Sequence, residues 1–166
     1  MKRNLLILFT LLFSTGLFAQ SIDGSKLRVG AGLVYATDIN NVGVAINGVY
    51  SFTNQWEGAA GFTHVFKKNY VSYNIVDFDA HYVFHELSEK FNIYGLAGLG
   101  LTFWKIEGID IMGYTIPDQT GSEVGVNLGV GGNYAITENL NLAPEVRFTV
   151  MDGSFARLGA TLQYRF

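Results

Sequence analysis

The chain contains no cysteine, which excludes a disulfide-stapled scaffold, a zinc-thiolate centre and a thiol nucleophile. Charge is scarce too. Only 15% of the 166 residues are charged, 14 acidic against 11 basic, so the basic surplus that nucleic-acid binding needs is missing and no nucleic-acid partner is expected. There are 2 prolines, and no stretch beyond Gln20 repeats its apolar residues at helical spacing. Against these deficits stand 20 glycines, 13 Phe, 9 Tyr and 2 Trp, within a composition that is 49% hydrophobic and too apolar to stay disordered. The length fits one domain.

The first residues read as an address. Met1-Lys2-Arg3-Asn4 is a basic start, Leu5 to Phe13 is almost wholly apolar, and Leu17-Phe18-Ala19 puts a small residue before Gln20. This is the pattern of a secretory signal peptide cleaved after Ala19. The run from Leu5 to Ala19 falls short of the ~20 residues a spanning helix needs. The expected organisation is therefore a signal peptide over 1–19 and one domain over 20–166, exported to a bacterial envelope.

From there on the chain alternates with a period of two, which places successive side chains on opposite faces of a strand. Ala156, Leu158, Ala160, Leu162, Tyr164 and Phe166 share one face, and Arg157, Gly159, Thr161, Gln163 and Arg165 the other. The segments 140–150, 123–134 and 76–84 alternate in the same way, and 27–37, 42–52, 56–66 and 91–104 do so with glycine and alanine filling one side. Eight strands are predicted.

Which face is buried decides the class. A soluble barrel of the lipocalin kind would turn Leu158, Leu162 and Phe148 inward and Arg147, Arg157 and Arg165 outward. Three features favour the reverse. The polar faces carry charges of both signs, able to pair in a narrow lumen: Arg28, Glu57, Asp77, Asp79, His81, Glu123, Glu145, Arg147, Arg157 and Arg165. Glycines on the same faces leave room for them. Tyr50, Phe52, Trp56, Tyr82, Phe84, Tyr134, Tyr164 and Phe166 lie on the apolar faces at one set of strand ends, with Tyr35, Phe66, Tyr70, Phe103 and Phe148 near the other. Two aromatic belts separated by valine, leucine and alanine are what two lipid–water interfaces select. The predicted fold is all-β, an eight-stranded antiparallel up-and-down transmembrane barrel whose narrow interior is filled by its own side chains.

The connections follow. Those at 53–55, 85–90 and 136–139 are expected to face the periplasm, and those at 38–41, 67–69, 105–122 and 151–153 the outside. Only Lys105 to Ser122 is long. Its Ile109, Ile111, Met112, Tyr114 and Ile116 form a candidate binding hairpin turning at Met112-Gly113. A free edge there offers strand addition to a surface protein ligand, and its isoleucines offer burial on outer-membrane lipid or lipopolysaccharide.

No catalytic, cofactor or metal site is assigned. Asp77, Asp79 and His81 share a strand face, but such neighbours are about 7 Å apart and do not converge on one ion. His64, His81 and His85 have no serine two residues away, as a lipid A deacylase of the triad type would require. Gly98-Leu99-Gly100 meets Phe103 where a dinucleotide fingerprint needs glycine.

The terminal Leu162-Gln163-Tyr164-Arg165-Phe166, the glycine-rich segment from Tyr94 to Gly100 and the Glu145/Arg147 pair together resemble the small outer-membrane β-barrels of the OmpA/OmpX kind. The resemblance covers Ser21 to Phe166. It implies integral residence in the outer membrane, recognition of the C-terminal aromatic segment by the barrel-assembly machinery, and a structural or adhesin-like role through the outer loops. It also leaves a narrow porin-like channel and a lipid A-modifying enzyme as alternatives.

Overall fold

The structure, a computed structural model, describes residues 23–88, 90–111 and 114–166. The expected leader (1–19) and the turn residues Met112 and Gly113 lie outside the described residues. A 3-10 turn, Gly24–Lys26, is capped by Asp23, whose carboxylate accepts the Ser25 N–H at 3.1 Å. It leads into β1 (Leu27–Ala36), β2 (Asn41–Ser51), β3 (Trp56–Lys68), β4 (Val71–Ser88), β5 (Phe91–Ile106), β6 (Ile109–Ile111), β7 (Tyr114–Ile116), β8 (Gln119–Ala135), β9 (Leu140–Val150) and β10 (Phe155–Arg165). All but β6 and β7 close into one barrel, in the order β1-β10-β9-β8-β5-β4-β3-β2. The closing seam pairs β1 with β10 from Arg28↔Arg165 to Ala36↔Arg157. The barrel thereby has no unpaired edge, which is the condition for strands to cross hydrocarbon.

Burial alternates along each strand in the phase expected for lipid outside. Leu33, Val124 and Phe78 are 68%, 64% and 54% exposed, whereas Arg28, Asp77 and Arg157 are each 4% exposed. The soluble, inside-out arrangement is excluded by this phase. Aromatic pairs gather at the end opposite the long connection between β5 and β8: Trp56 with Tyr82 at 4.9 Å, Tyr50 with Phe52 at 5.3 Å, Phe91 with Tyr134 at 6.5 Å, and Tyr164 with Phe166 at 5.4 Å. Short turns mark the periplasmic side of such barrels and long loops the outer side.

The strands extend beyond the limits read from the sequence, most of all at β4 and around the long outer segment, where β8 begins at Gln119. β4 runs over Val71–Ser88 rather than 76–84, because β3 and β5 supply backbone partners beyond the apolar pattern, through register shifts at Val83/His85 and Glu86/Ser88. The outer turn before it is tight: Asn69 and Tyr70 take φ of 49° and 68°, the left-handed pair of a two-residue hairpin. The long outer segment holds β6 and β7, a two-stranded sheet apart from the barrel.

The lumen is layered rather than polar throughout. Near the outer end Ala36, Val65, Tyr73, Ile75 and Phe155 form a buried apolar cluster, with Ile39, Val71, Trp104 and Met151 packed on it. Tyr73 and Ile75 lie in the part of β4 that the alternation alone did not delimit. Below this layer come the charges, and beside the lower of them a smaller cluster of Val83, Tyr94 and Leu96, with Leu96 in register with His81.

Leu128 faces outward, 51% exposed, near the middle of β8's crossing. Leu128→Arg is expected to destabilise the folded barrel by about 2–4 kcal/mol at the membrane midplane, while Thr161→Ser on the luminal face changes it by less than about 0.5 kcal/mol. Urea unfolding in lipid vesicles reads both.

Candidate functional site

The charges converge because alternate residues of adjacent strands are held at one level by register. On β4, Asp77 and Asp79 face Gly100 and Gly98 of β5, so neither meets a side chain from that strand at its own level. Their carboxylates instead reach across the lumen. Arg157 grips Asp77 with two parallel bonds, Nη1 to Oδ2 at 2.7 Å and Nη2 to Oδ1 at 2.8 Å. Arg147 Nη1 sits 3.0 Å from Asp77 Oδ2 and 2.8 Å from Asp79 Oδ2, and its Nη2 is 2.8 Å from Glu145 Oε1. Asn127 donates to both aspartates, at 2.9 and 3.0 Å, and accepts from the Thr149 hydroxyl at 2.8 Å.

A second group lies closer to the periplasm. Arg28 donates to Glu57 at 2.8 Å, Ser51 donates to the other Glu57 oxygen at 3.0 Å, and His81 Nδ1 is 3.7 Å from Glu57. The His81 ring stacks on Tyr94, with centroids 4.5 Å apart and planes 12° apart, and the Tyr94 hydroxyl donates to Glu145 at 3.1 Å. The two groups are thus joined, and every barrel strand contributes at least one member. Gly131 makes the stacking possible: a Cβ there would lie 2.3 Å from Tyr94 Cζ. The space left beside the network is a cavity of about 70 Å³, room for a few waters at roughly 10–15 Å³ each.

Eight of the ten residues read as luminal charges meet here: Arg28, Glu57, Asp77, Asp79, His81, Glu145, Arg147 and Arg157. Two do not. Arg165 is in luminal phase, but it ends β10 and is exposed at the periplasmic rim, its N–H donating to Asn139 O at 2.8 Å. Glu123 is half-buried near the outer end, away from the arginine network, and its Oε2 has no partner among the described residues. Asn127, Thr149, Tyr94 and Ser51 were not singled out from sequence. Their luminal phase was the available signal, and the partner across the lumen was not readable. His64, on the outer face, places Nδ1 2.8 Å from Asn74 Oδ1, so the ring is satisfied by its cross-strand neighbour.

Above the barrel, β6 and β7 pair through Ile109↔Ile116, Asp110↔Thr115 and Ile111↔Tyr114. Ile116 is 49% exposed. Met112 lies outside the described residues. The base is fixed by Asp118, which accepts the Gly108 N–H at 2.8 Å and pairs with Lys105 at 2.7 Å, and by Lys67 with Glu107 at 2.7 Å. The Gly108 N–H and the Lys105 ammonium hold the Asp118 carboxyl below the ordinary value of 3.8.

A closed eight-stranded barrel with an apolar exterior, aromatic rims and a paired-charge interior is the architecture of an integral outer-membrane protein. The chain matches the family model described as outer membrane protein beta-barrel domain over residues 5–166, and it belongs to that family. Comparison with curated proteins by sequence returns no match. Among solved structures it is similar to the N-terminal β-barrel domain of Pseudomonas aeruginosa OprF, at 18% identity and a TM-score of 0.68, covering 84% of this chain and 96% of that one. Neisserial surface protein A is similar at 20% identity and a TM-score of 0.67, covering 86% and 98%. Ail, the attachment invasion locus protein of Yersinia pestis, is similar at 19% identity and a TM-score of 0.60, covering 84% and 97%. At these identities the likeness is one of fold.

Two outcomes are expected. Asp77→Ala leaves the buried Arg157 guanidinium without its carboxylate, while Arg147 keeps Asp79 and Glu145; the change is expected to cost about 3–5 kcal/mol, part of which Arg157→Met in the same chain restores, and a double-mutant cycle of vesicle unfolding reads it. Because folding lowers the Asp118 pKa, its stabilisation of the hairpin base is fully present above 3.8 and lost as pH falls below that value. The Gly108 amide resonance follows the loss in a pH titration, and Asp118→Asn flattens it.

Proposed function

We propose that this protein is a non-conducting barrel of the outer membrane, exported by removal of residues 1–19, and that its binding role is carried by the outer hairpin. The observation that carries the reading is the network drawn from all eight barrel strands, with a bidentate Asp77–Arg157 pair at 2.7 and 2.8 Å and an apolar layer of Tyr73, Ile75 and Phe155 above it. Solutes crossing such a lumen would have to break buried charge pairs, which is costly in a low-dielectric interior.

The role outside the membrane is binding of an extended segment of a surface protein by strand addition to the β6–β7 sheet, which belongs to no larger sheet. Ail, a barrel of the same fold, is named for attachment and has been captured with the heparin analogue sucrose octasulfate. A polyanion is a poorer fit here. The outer segments carry Lys67, Lys68 and Lys105 against Asp38, Glu107, Asp110, Asp118 and Asp152, an acidic balance that repels sulfated chains. Lipid and lipopolysaccharide contact the barrel wall, and the terminal Tyr164-Arg165-Phe166 is offered to the barrel-assembly machinery. No catalytic step is assigned.

Two measurements test the reading. In planar bilayers the protein is expected to give no stable conductance steps; discrete steps would favour the narrow-channel alternative. Replacing residues 108–117 by a glycine-serine linker is expected to abolish adhesion of expressing cells while leaving heat-modifiable gel migration intact. Adhesion surviving that replacement would remove the hairpin from the role.

A further inference from the structure

The charge network leaves one part of the lumen unused. At the periplasmic mouth, Asn92 of β5, Asn133 of β8, Asn141 of β9 and Gln163 of β10 follow one another around the wall, with Asn92↔Asn133 and Asn141↔Gln163 in direct register. Asn133 is 5% exposed, yet neither its Oδ1 nor its Nδ2 has a hydrogen-bond partner among the described residues. Asn92 Oδ1, Gln163 Oε1 and Arg28 Nε are likewise buried and unmatched. The contrast with Asn127, on the same strand and the same face, is informative: that amide donates to Asp77 and Asp79 and accepts from Thr149. One asparagine is consumed by the network, and the other is presented.

Asn92, Asn133 and Asn141 line a cavity of about 670 Å³ facing the periplasm, together with Arg28, Lys90, Arg165 and Glu138, within the size range of small-molecule sites. Arg28 is engaged by Glu57 at 2.8 Å, which leaves, among the described residues that line the cavity, the cations Lys90 and Arg165 against the Glu138 carboxylate. A primary amide offers one donor group and one acceptor side by side, the complement of adjacent hydroxyls, and the cationic rim selects an anion.

We infer that the periplasmic mouth is a binding site for a small hydroxylated carboxylate of the sugar-acid class, with the Asn92, Asn133 and Asn141 amides on its hydroxyls and Arg165 and Lys90 on its carboxylate. The site is separate from the outer hairpin and does not depend on the hairpin's role.

The test is a titration of the isotope-labelled barrel in lipid nanodiscs with sodium gluconate, following the side-chain amide resonances of Asn92, Asn133 and Asn141. Glucose, which lacks the charge, and acetate, which lacks the hydroxyls, serve as controls at matched ionic strength. Gluconate is expected to give saturable shifts confined to these amides, with each control binding at least about tenfold more weakly. Asn133→Ala and Arg165→Gln are each expected to weaken gluconate by about tenfold or more, and unchanged backbone spectra show that the barrel is intact. Arg165 is exposed, so its replacement keeps the test open even if Asn133→Ala misfolds. Absence of saturable shifts, equal response to acetate, or unaltered binding in Arg165→Gln would overturn the proposal.

Discussion

In hydrocarbon a backbone N–H or carbonyl has no water to fall back on, so a strand crosses a membrane only when its neighbours satisfy it on both sides. The seam between β1 and β10 meets this requirement here. It joins the first and last strands over nine register positions, from Arg28↔Arg165 to Ala36↔Arg157, and turns a meander with two open edges into a cylinder with none. Once the cylinder is closed, period-two geometry leaves each side chain only two destinations. Most valines, leucines and phenylalanines go to lipid, while Val65, Val83, Leu96 and Phe155 go inward. Arginine, aspartate, asparagine and threonine go inward, where they must find partners or remain costly.

That second demand explains the composition of the interior. The interior of an eight-stranded barrel is just wide enough for side chains to fill and too wide for backbone alone. Arg147 and Arg157 span the width and close on Asp77 and Asp79, while glycine opposite these carboxylates leaves the guanidinium groups their space. The arrangement ties strands distant in sequence to one another, as in the bond from Arg157 to Asp77 across 80 positions. The apolar cluster of Tyr73, Ile75 and Phe155 lies on the outer side of this network.

Much of this was legible in the sequence, because the signal is geometric. Alternation from Ala156 to Phe166 needs no knowledge of neighbours, and the coincidence of charges with glycine on one face was enough to set inside from outside. What escaped required the third dimension. Asn127 and Thr149 look like ordinary polar strand residues until Asp77 is seen across from them. Tyr73 and Ile75 belong to a stretch of β4, Val71-Ser72-Tyr73-Asn74-Ile75, whose alternation turns its apolar residues inward, opposite in phase to the lipid-facing Val76 and Phe78 that follow. Arg165 kept the right phase but had run out of barrel, since phase says which face a side chain takes and nothing about whether the wall still stands at that height. The orphaned amide of Asn133 is visible only by comparison with the satisfied amide of Asn127.

The central claim is the direction of the two faces, and the absence of cysteine makes it accessible to single-site labelling. Spin labels on single cysteines placed in turn along β8 from Val124 to Val130, in reconstituted bilayers, report collision with oxygen dissolved in lipid. The account predicts high collision rates at 124, 126, 128 and 130 and low rates at 125, 127 and 129. The opposite phase, or no alternation, would contradict it.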